Sequence, residues 1–281
     1  MFTVNNYLQE ASFTYDHEKD TRYIGTREAE LLDLQEISEY CRENREKLVC
    51  RLNDFYQEEV EPGIPLCDWL FAGLGSGSHD TRELLLRMLD MITESTTAGD
   101  ASISISLGPF PNSCHTKEAY LAGRRTILAK QKNVEEYIRF MSSCFQDYVF
   151  SDHIADAMKR IPDFEKHTGE ITFNLSLLND HALSIYKNSG NDSSRAMKEL
   201  SARALECTGD PSHKEYLKFP FTYIMETEKG EKLELIEEVE CSPHMKLIRK
   251  DSDLRIYFYW YHEKIHGGKK VLIGRIGSHP Y

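Results

Sequence analysis

The chain has 281 residues, a net charge of −12 and seven dispersed cysteines with no Cys-x-x-Cys pair. That length suits one large domain or two ordinary ones with a sizeable core. No run approaches the roughly eighteen consecutive apolar residues of a membrane span, and residues 1–10 lack a basic-then-apolar leader layout, so a cytoplasmic protein with reduced thiols and no membrane partner is expected.

In chain order, residues 1–25 are polar with scattered aromatics and read as an arm or an early strand. Thr26 reads as a helix cap. Leu34, Ile37, Cys41, Leu48, Leu52 and Phe55 then recur at three- and four-residue steps, which places them on one face of one long helix or of two in line. Ile64 to Leu74 is apolar and predicts core packing through Trp69, Leu70 and Phe71. The run Gly73 to Ser78 precedes a helix capped by Asp80, with Glu83 three residues on. It lacks the Gly-Lys-Ser/Thr of a phosphate-binding loop and reads as a hinge.

Ala101 to Leu107 alternates apolar and polar residues, the signature of a half-buried strand. Thr116 to Lys130 is helical, with Arg124 and Arg125 read as a solvated face. Asn133 and Glu136 cap a further helix lined by Val134, Tyr137, Ile138, Met141, Phe145 and Tyr148. A shorter helix follows over 152–160, and further helices over 170–187 and 195–207, the last closed by Thr208 to Pro211.

From Phe219 the character changes. Phe221 to Thr227 and Leu233 to Val239 read as strands joined through Lys229-Gly230, and Arg255 to Tyr261 and Val271 to Gly277 as two more around Gly267-Gly268. Alternation puts Arg255, Tyr257, Tyr259 and Tyr261 on one side of the third strand. Arg275 and His279, sharing a side with Val271 and Ile273, can join that face from the fourth. His244 and Lys246 lie in the connection just before. Between Cys241 and Tyr281 there are eight Lys and Arg against three acids, a surplus of five positive charges, which leaves the first 240 residues at −17. Such asymmetry points to an anionic partner at the carboxyl end.

The strand Arg255-Ile256-Tyr257-Phe258, preceded by Lys246-Leu247 and followed by a closing strand, resembles the RelE/ParE superfamily of small toxins over about a fifth of the chain. The resemblance implies a compact antiparallel sheet flanked by helices and a metal-free site that cuts RNA. Lys246 and Arg255 would hold phosphate there, Arg275 would be a late basic residue, and Tyr257 or His279 would move protons. Members of that family are usually stand-alone chains of roughly a hundred residues; here more than two hundred precede the motif.

The expected fold class is α+β: a mostly helical, acidic region over 1–162 with one short strand, then a module over 163–281 of two helices and four antiparallel strands. The expected function is metal-independent binding or cleavage of RNA, or of another phosphate-bearing ligand, by His244, Lys246, Arg255, Tyr257, Arg275 and His279, with no cofactor. His titrates near neutrality and Arg matches phosphate oxygens, which is what cleavage through a ribose 2′-hydroxyl needs. The helical region would regulate or recruit that module and is the place for a protein partner. Two other readings stand beside it: a non-enzymatic adaptor, and a metal-dependent hydrolase using Glu238, Glu240 and His244.

Overall fold

The computed structural model describes residues 2–19, 23–94, 99–203, 206–210, 212–226, 230–247 and 253–281. The chain forms two compact units, Met1–Arg124 and Arg125–Tyr281, so residue 162 falls inside the second.

In the first unit β1 (Val4–Leu8) leads through α1 (Glu28–Glu43) to β2 (Lys47–Val49). After α2 (Leu52–Gln57) and the small hairpin of β3 (Glu59–Glu61) and β4 (Ile64–Pro65) come α3 (His79–Leu89), β5 (Ile92–Thr93), β6 (Ala101–Ile105) and the start of α4 (Lys117–Ala129). Four strands lie side by side in the order β5-β2-β1-β6, and each neighbouring pair is parallel. The expected plan, a mainly helical amino-terminal region followed by an antiparallel sheet, is therefore overturned. Helices are interspersed with strands throughout, and the sheets are parallel and mixed.

Local chemistry explains the discrepancy. Parallel strands buried on both faces usually read as apolar runs, but β1 is Val-Asn-Asn-Tyr-Leu. Asn5 and Asn6 are both buried. The Asn6 amide donates to Glu46 and to the Lys47 carbonyl and accepts the Tyr120 hydroxyl, so a buried polar strand is satisfied by its neighbours. Leu48, counted on a helix face, lies in β2 because α1 stops at Glu43 and Arg45 takes a positive φ of 56°. Arg124 is no solvated residue: fully buried, it pairs with Glu46 through both guanidinium arms at 2.5 and 2.7 Å.

The Gly-rich run is laced down rather than hinged. Buried Glu61 accepts from the Ser76 amide and hydroxyl and from the Trp69 indole, and Arg82 reaches the carbonyls of Trp69, Gly73, Leu74 and Gly75. The following helix is capped by Ser78, which accepts from the Thr81 amide at 3.0 Å, rather than by Asp80. Phe71, expected in the core, is 65% exposed.

The second unit opens with α5 (Val134–Met141), capped by Asn133 as expected, with its side chain accepting from the Glu136 amide at 3.0 Å. It then runs through β7 (Tyr148–Phe150), α6 (Ile154–Met158), α7 (Thr168–Asn188) and α8 (Ser193–Ser201). The strands β8 (Cys207–Gly209), β9 (Lys218–Glu226), β10 (Lys232–Glu240), β11 (Pro243–Lys246), β12 (Arg255–Tyr259) and β13 (Val271–Gly277) complete it. A five-stranded mixed sheet has the order β7-β13-β12-β11-β8, with β7 parallel to β13 and the other pairs antiparallel. β9 and β10 form a separate two-stranded ribbon. Its inward face, Phe219, Phe221, Tyr223 and Val239, packs with Tyr257 and Leu272 of the sheet. On the other side α6 and α7 pack against β13. Trp260 stacks on Tyr186 of α7 at 4.7 Å and donates its indole N–H to Ser193.

Thr227 and Lys229 of the expected first hairpin, Ala204 of the helix over 195–207, Pro211 at its close, and Arg249, Lys250 and Asp251 of the charge surplus lie outside the described residues. No helix among the described residues is long and apolar enough to cross a membrane.

Candidate functional site

The register of the mixed sheet builds the site. His244 of β11 lies opposite Thr208 of β8 on one side and Tyr257 of β12 on the other, and Tyr257 lies opposite Arg275 of β13. Directly opposed residues in antiparallel strands share a face, so Thr208, His244, Tyr257 and Arg275 form one row across four strands. On the same face, Lys246 and Arg255 are opposed two residues further along.

The strict alternation used for β13 does not hold. Ile273 pairs with Phe258 and Leu272 with Tyr259, but Arg275 pairs with Tyr257, so Gly274 is one extra residue in the strand. Such a bulge shifts every later side chain to the other face. Arg275 therefore joins Tyr257 in company with Leu272, and Val271 and Ile273 point away. Gly274 is required there, because an added Cβ would come within 2.4 Å of the Phe219 ring and 2.8 Å of the Cys241 sulfur.

Beyond Gly277 the chain turns over this face. His279 Nδ1 sits 2.6 Å from the Tyr257 hydroxyl. The His244 ring lies 5.1 Å from that of Tyr257 and 6.5 Å from that of His279. Its own nitrogens are engaged, Nε2 with Thr208 Oγ1 at 3.0 Å and Nδ1 with the Ser242 carbonyl at 3.3 Å. Tyr257 and His244 are buried, whereas His279, Arg255 and Arg275 are half-buried. Only the last three present appreciable surface to solvent.

Electrostatics follow from this placement. Burial, reinforced by the charge of Arg255, holds the His279 imidazole below its ordinary pKa against the opposing pull of Asp253 and Asp210. Burial lowers His244 as well, with Arg255 and His279 adding to the effect. Both rings are therefore neutral at pH 7, and a neutral imidazole is a proton acceptor. Burial also pushes Tyr257 well above its usual value, so its hydroxyl keeps its proton. Arg275 donates Nε–H to the Ser278 carbonyl at 2.7 Å. Its pKa is lowered by burial and by the nearby positive charge of Arg160, just past α6.

Lys246 stands apart. Its ammonium is held by Glu206 at 2.6 Å, and it takes no part in the cluster around His279. The alternative grouping of Glu238, Glu240 and His244 does not assemble. Glu240 pairs with Lys214 at 3.3 Å and Glu238 is exposed on the ribbon. Among the described residues no three His, Cys, Asp or Glu side chains come together as a metal would need.

The sequence reading missed four residues of this face. Asp210, next to β8, accepts the Tyr281 hydroxyl. That bond holds the Asp210 carboxyl below its usual range and pushes Tyr281 up to about 12. Tyr281 stacks on His213 with ring centres 4.0 Å apart, and Thr208 supports His244. Nothing local marks them: Thr208 to Pro211 reads as a helix stop and His213 as part of a turn. Only the pairing of β8 with β11 brings them in. No family model matches the chain, and no significant match is found among curated proteins or solved structures.

Proposed function

We propose that the second unit binds RNA on this face and cleaves it without a metal. The observation that carries the reading is His279, an imidazole held at Nδ1 by the Tyr257 hydroxyl and under the influence of Arg255, with Arg275 opposed to the same tyrosine across the sheet. His279 donates Nδ1–H to the Tyr257 oxygen and takes the proton of a ribose 2′-hydroxyl on Nε2, and the ribose oxygen attacks the adjacent phosphorus. The bond to the 5′-oxygen breaks, and water protonates the leaving oxygen. The products are a 2′,3′-cyclic phosphate and a 5′-hydroxyl. Arg255 and Arg275 offset the charge that gathers on the non-bridging oxygens. Tyr257 acts as a positioning residue that sets the imidazole's orientation. The RelE/ParE resemblance adds a toxin-like or host-defence setting to the same chemistry.

The test is cleavage of an end-labelled single-stranded RNA by the purified chain in excess chelator, with product ends identified. General acid–base catalysis contributes about 10²–10⁴-fold, so His279→Gln is expected to lose at least about 100-fold, and Arg255→Ala to lower kcat together with kcat/KM. Unchanged cleavage by His279→Gln removes the assignment.

A further inference from the structure

The rings around His279 do not end at the proposed reaction centre. From buried Tyr257 the series passes to His279 (6.2 Å), Tyr281 (5.0 Å) and Tyr216 (5.9 Å), with His213 stacked on Tyr281 at 4.0 Å and an 18° tilt. Tyr216 is 50% exposed and Tyr281 46% exposed. Neither belongs to the hydrophobic core of the sheet and ribbon. Two large rings kept half in water beside a reactive imidazole have no packing role that explains them.

They are nevertheless held in place. Tyr281 is tied to Asp210, whose amide donates to Ser242 and whose carboxylate also accepts the Ser212 amide. Tyr216 ends a 3₁₀ turn (Lys214–Tyr216) anchored by the Lys214–Glu240 pair. Rigid aromatic surfaces of this kind give contact area at small entropic cost. Arg255 and the Asp210 carboxylate each act on both His279 and Tyr281. The Asp210 carboxylate is already engaged by the Tyr281 hydroxyl, so the guanidiniums are left to face phosphate, while an uncharged flat ring is accepted by the tyrosines.

We propose that Tyr216 and Tyr281 form a stacking platform for one unpaired nucleobase of the RNA, whose neighbouring phosphate sits at Arg255 and Arg275. This rests on the RNA-cleaving reading and specifies its substrate class as single-stranded. Every base offers a π-face to an aromatic side chain, whereas a base inside a duplex is already stacked on its neighbours and presents only its edge.

The test uses a non-cleavable 2′-O-methyl RNA with 2-aminopurine placed at successive positions and read by fluorescence on mixing with the full chain. Quenching is expected at one position in the single strand and absent in the duplex. Tyr216→Leu and Tyr281→Leu are expected to remove it and to weaken binding about 5- to 100-fold, with KM for a cleavable RNA raised and kcat held. Tyr216→Trp restores quenching, which separates a lost stack from a misfolded variant, as do matched unfolding midpoints. Wild-type affinity and KM in both leucine variants overturn the platform and leave the cleavage reading intact. Failure of the wild type to bind RNA overturns both. Loss of self-association on sedimentation in these variants, with RNA binding unchanged, makes the rings a protein contact instead and also overturns the platform.

Discussion

At the scale of single residues the decisive object is the hydrogen bond between Tyr257 and His279. A phenol kept protonated by burial is a dependable partner for one nitrogen of an imidazole that is itself held neutral. The sign of the pH effect follows. A depressed histidine pKa leaves the basic form dominant throughout neutrality, so cleavage should stay flat as pH falls from 8 and decline only below the ordinary histidine value near 6.5. A pH–rate profile checks this, and an acid limb centred above 6.5 contradicts it. Removing the phenol oxygen with Tyr257→Phe leaves His279 able to accept a proton but free to rotate. Misplacement of a reacting group costs up to about 100-fold, so kcat is expected to drop about 10- to 100-fold with KM nearly constant.

At this scale the strand alternation read from the sequence foresaw a grouping of side chains rather than a demonstrated site. His244, Tyr257, Arg255, Arg275 and His279 were nominated by residue type and strand alternation, and all five lie on or over one face. What residue type could not supply was burial, which separates Tyr257 and His244 from the half-buried His279, Arg255 and Arg275. Nor could it show the carboxylate partner that occupies Lys246.

At the scale of elements the bulge in β13 decides which side chains belong to the site. An alternating strand would have set Arg275 opposite the wrong face, and Gly274 corrects this by adding one residue where no side chain fits. Gly274→Ala must displace Phe219 on the ribbon's inward face and Cys241 just past β10, both core residues. Overpacking of this sort typically costs about 1–3 kcal/mol, and the expected outcome is a shift of that size in the denaturant midpoint with an unchanged slope. A substitution that leaves stability untouched would mean that the bulge relaxes freely. Elements with caps and long periodic stripes were legible: α5 behind Asn133, and α7 close to its expected ends. Short strands were not. β2 has three residues and β5 two, too few for any period to register, and Leu48 fell by chance into a neighbouring helical spacing. Tyr148, read as the end of a helix face, belongs instead to β7, the strand that makes the second sheet mixed.

At the scale of the whole molecule the charge balance sets how nucleic acid would be held. The chain carries −12 overall, so binding cannot depend on a diffuse basic surface. On the proposed reading it comes from a few guanidiniums: Arg255 and Arg275 on this face, with Arg160 near enough to act on Arg275. Three neutralised phosphates on a single strand give a slope of log K against log salt of about −2, or about a 20-fold loss of affinity between 50 and 200 mM salt. Fluorescence anisotropy over that range checks the number, and a slope of about −5 or steeper would show that cations elsewhere carry the binding. The uneven charge was visible in the sequence. The parallel sheet that accompanies it was not, because its first strand is polar and is completed by Glu46 and Tyr120, distant in sequence.

The β9–β10 ribbon carries a further consequence. It is a sheet of only two nine-residue strands, and Ile224 and Ile236 stand exposed upon it. Bare strand edges invite a neighbour's backbone and so promote aggregation. Along this one, Glu226, Glu234, Glu237, Glu238 and Glu240 outnumber Lys218 and Lys232. A second copy sliding alongside would bring carboxylate against carboxylate before any amide could find a carbonyl. Part of the β9 margin is also occupied by Asp152, whose amide donates to the Pro220 carbonyl and whose carboxylate accepts the Thr222 amide, so like charge and an intramolecular partner together oppose templating by a second copy.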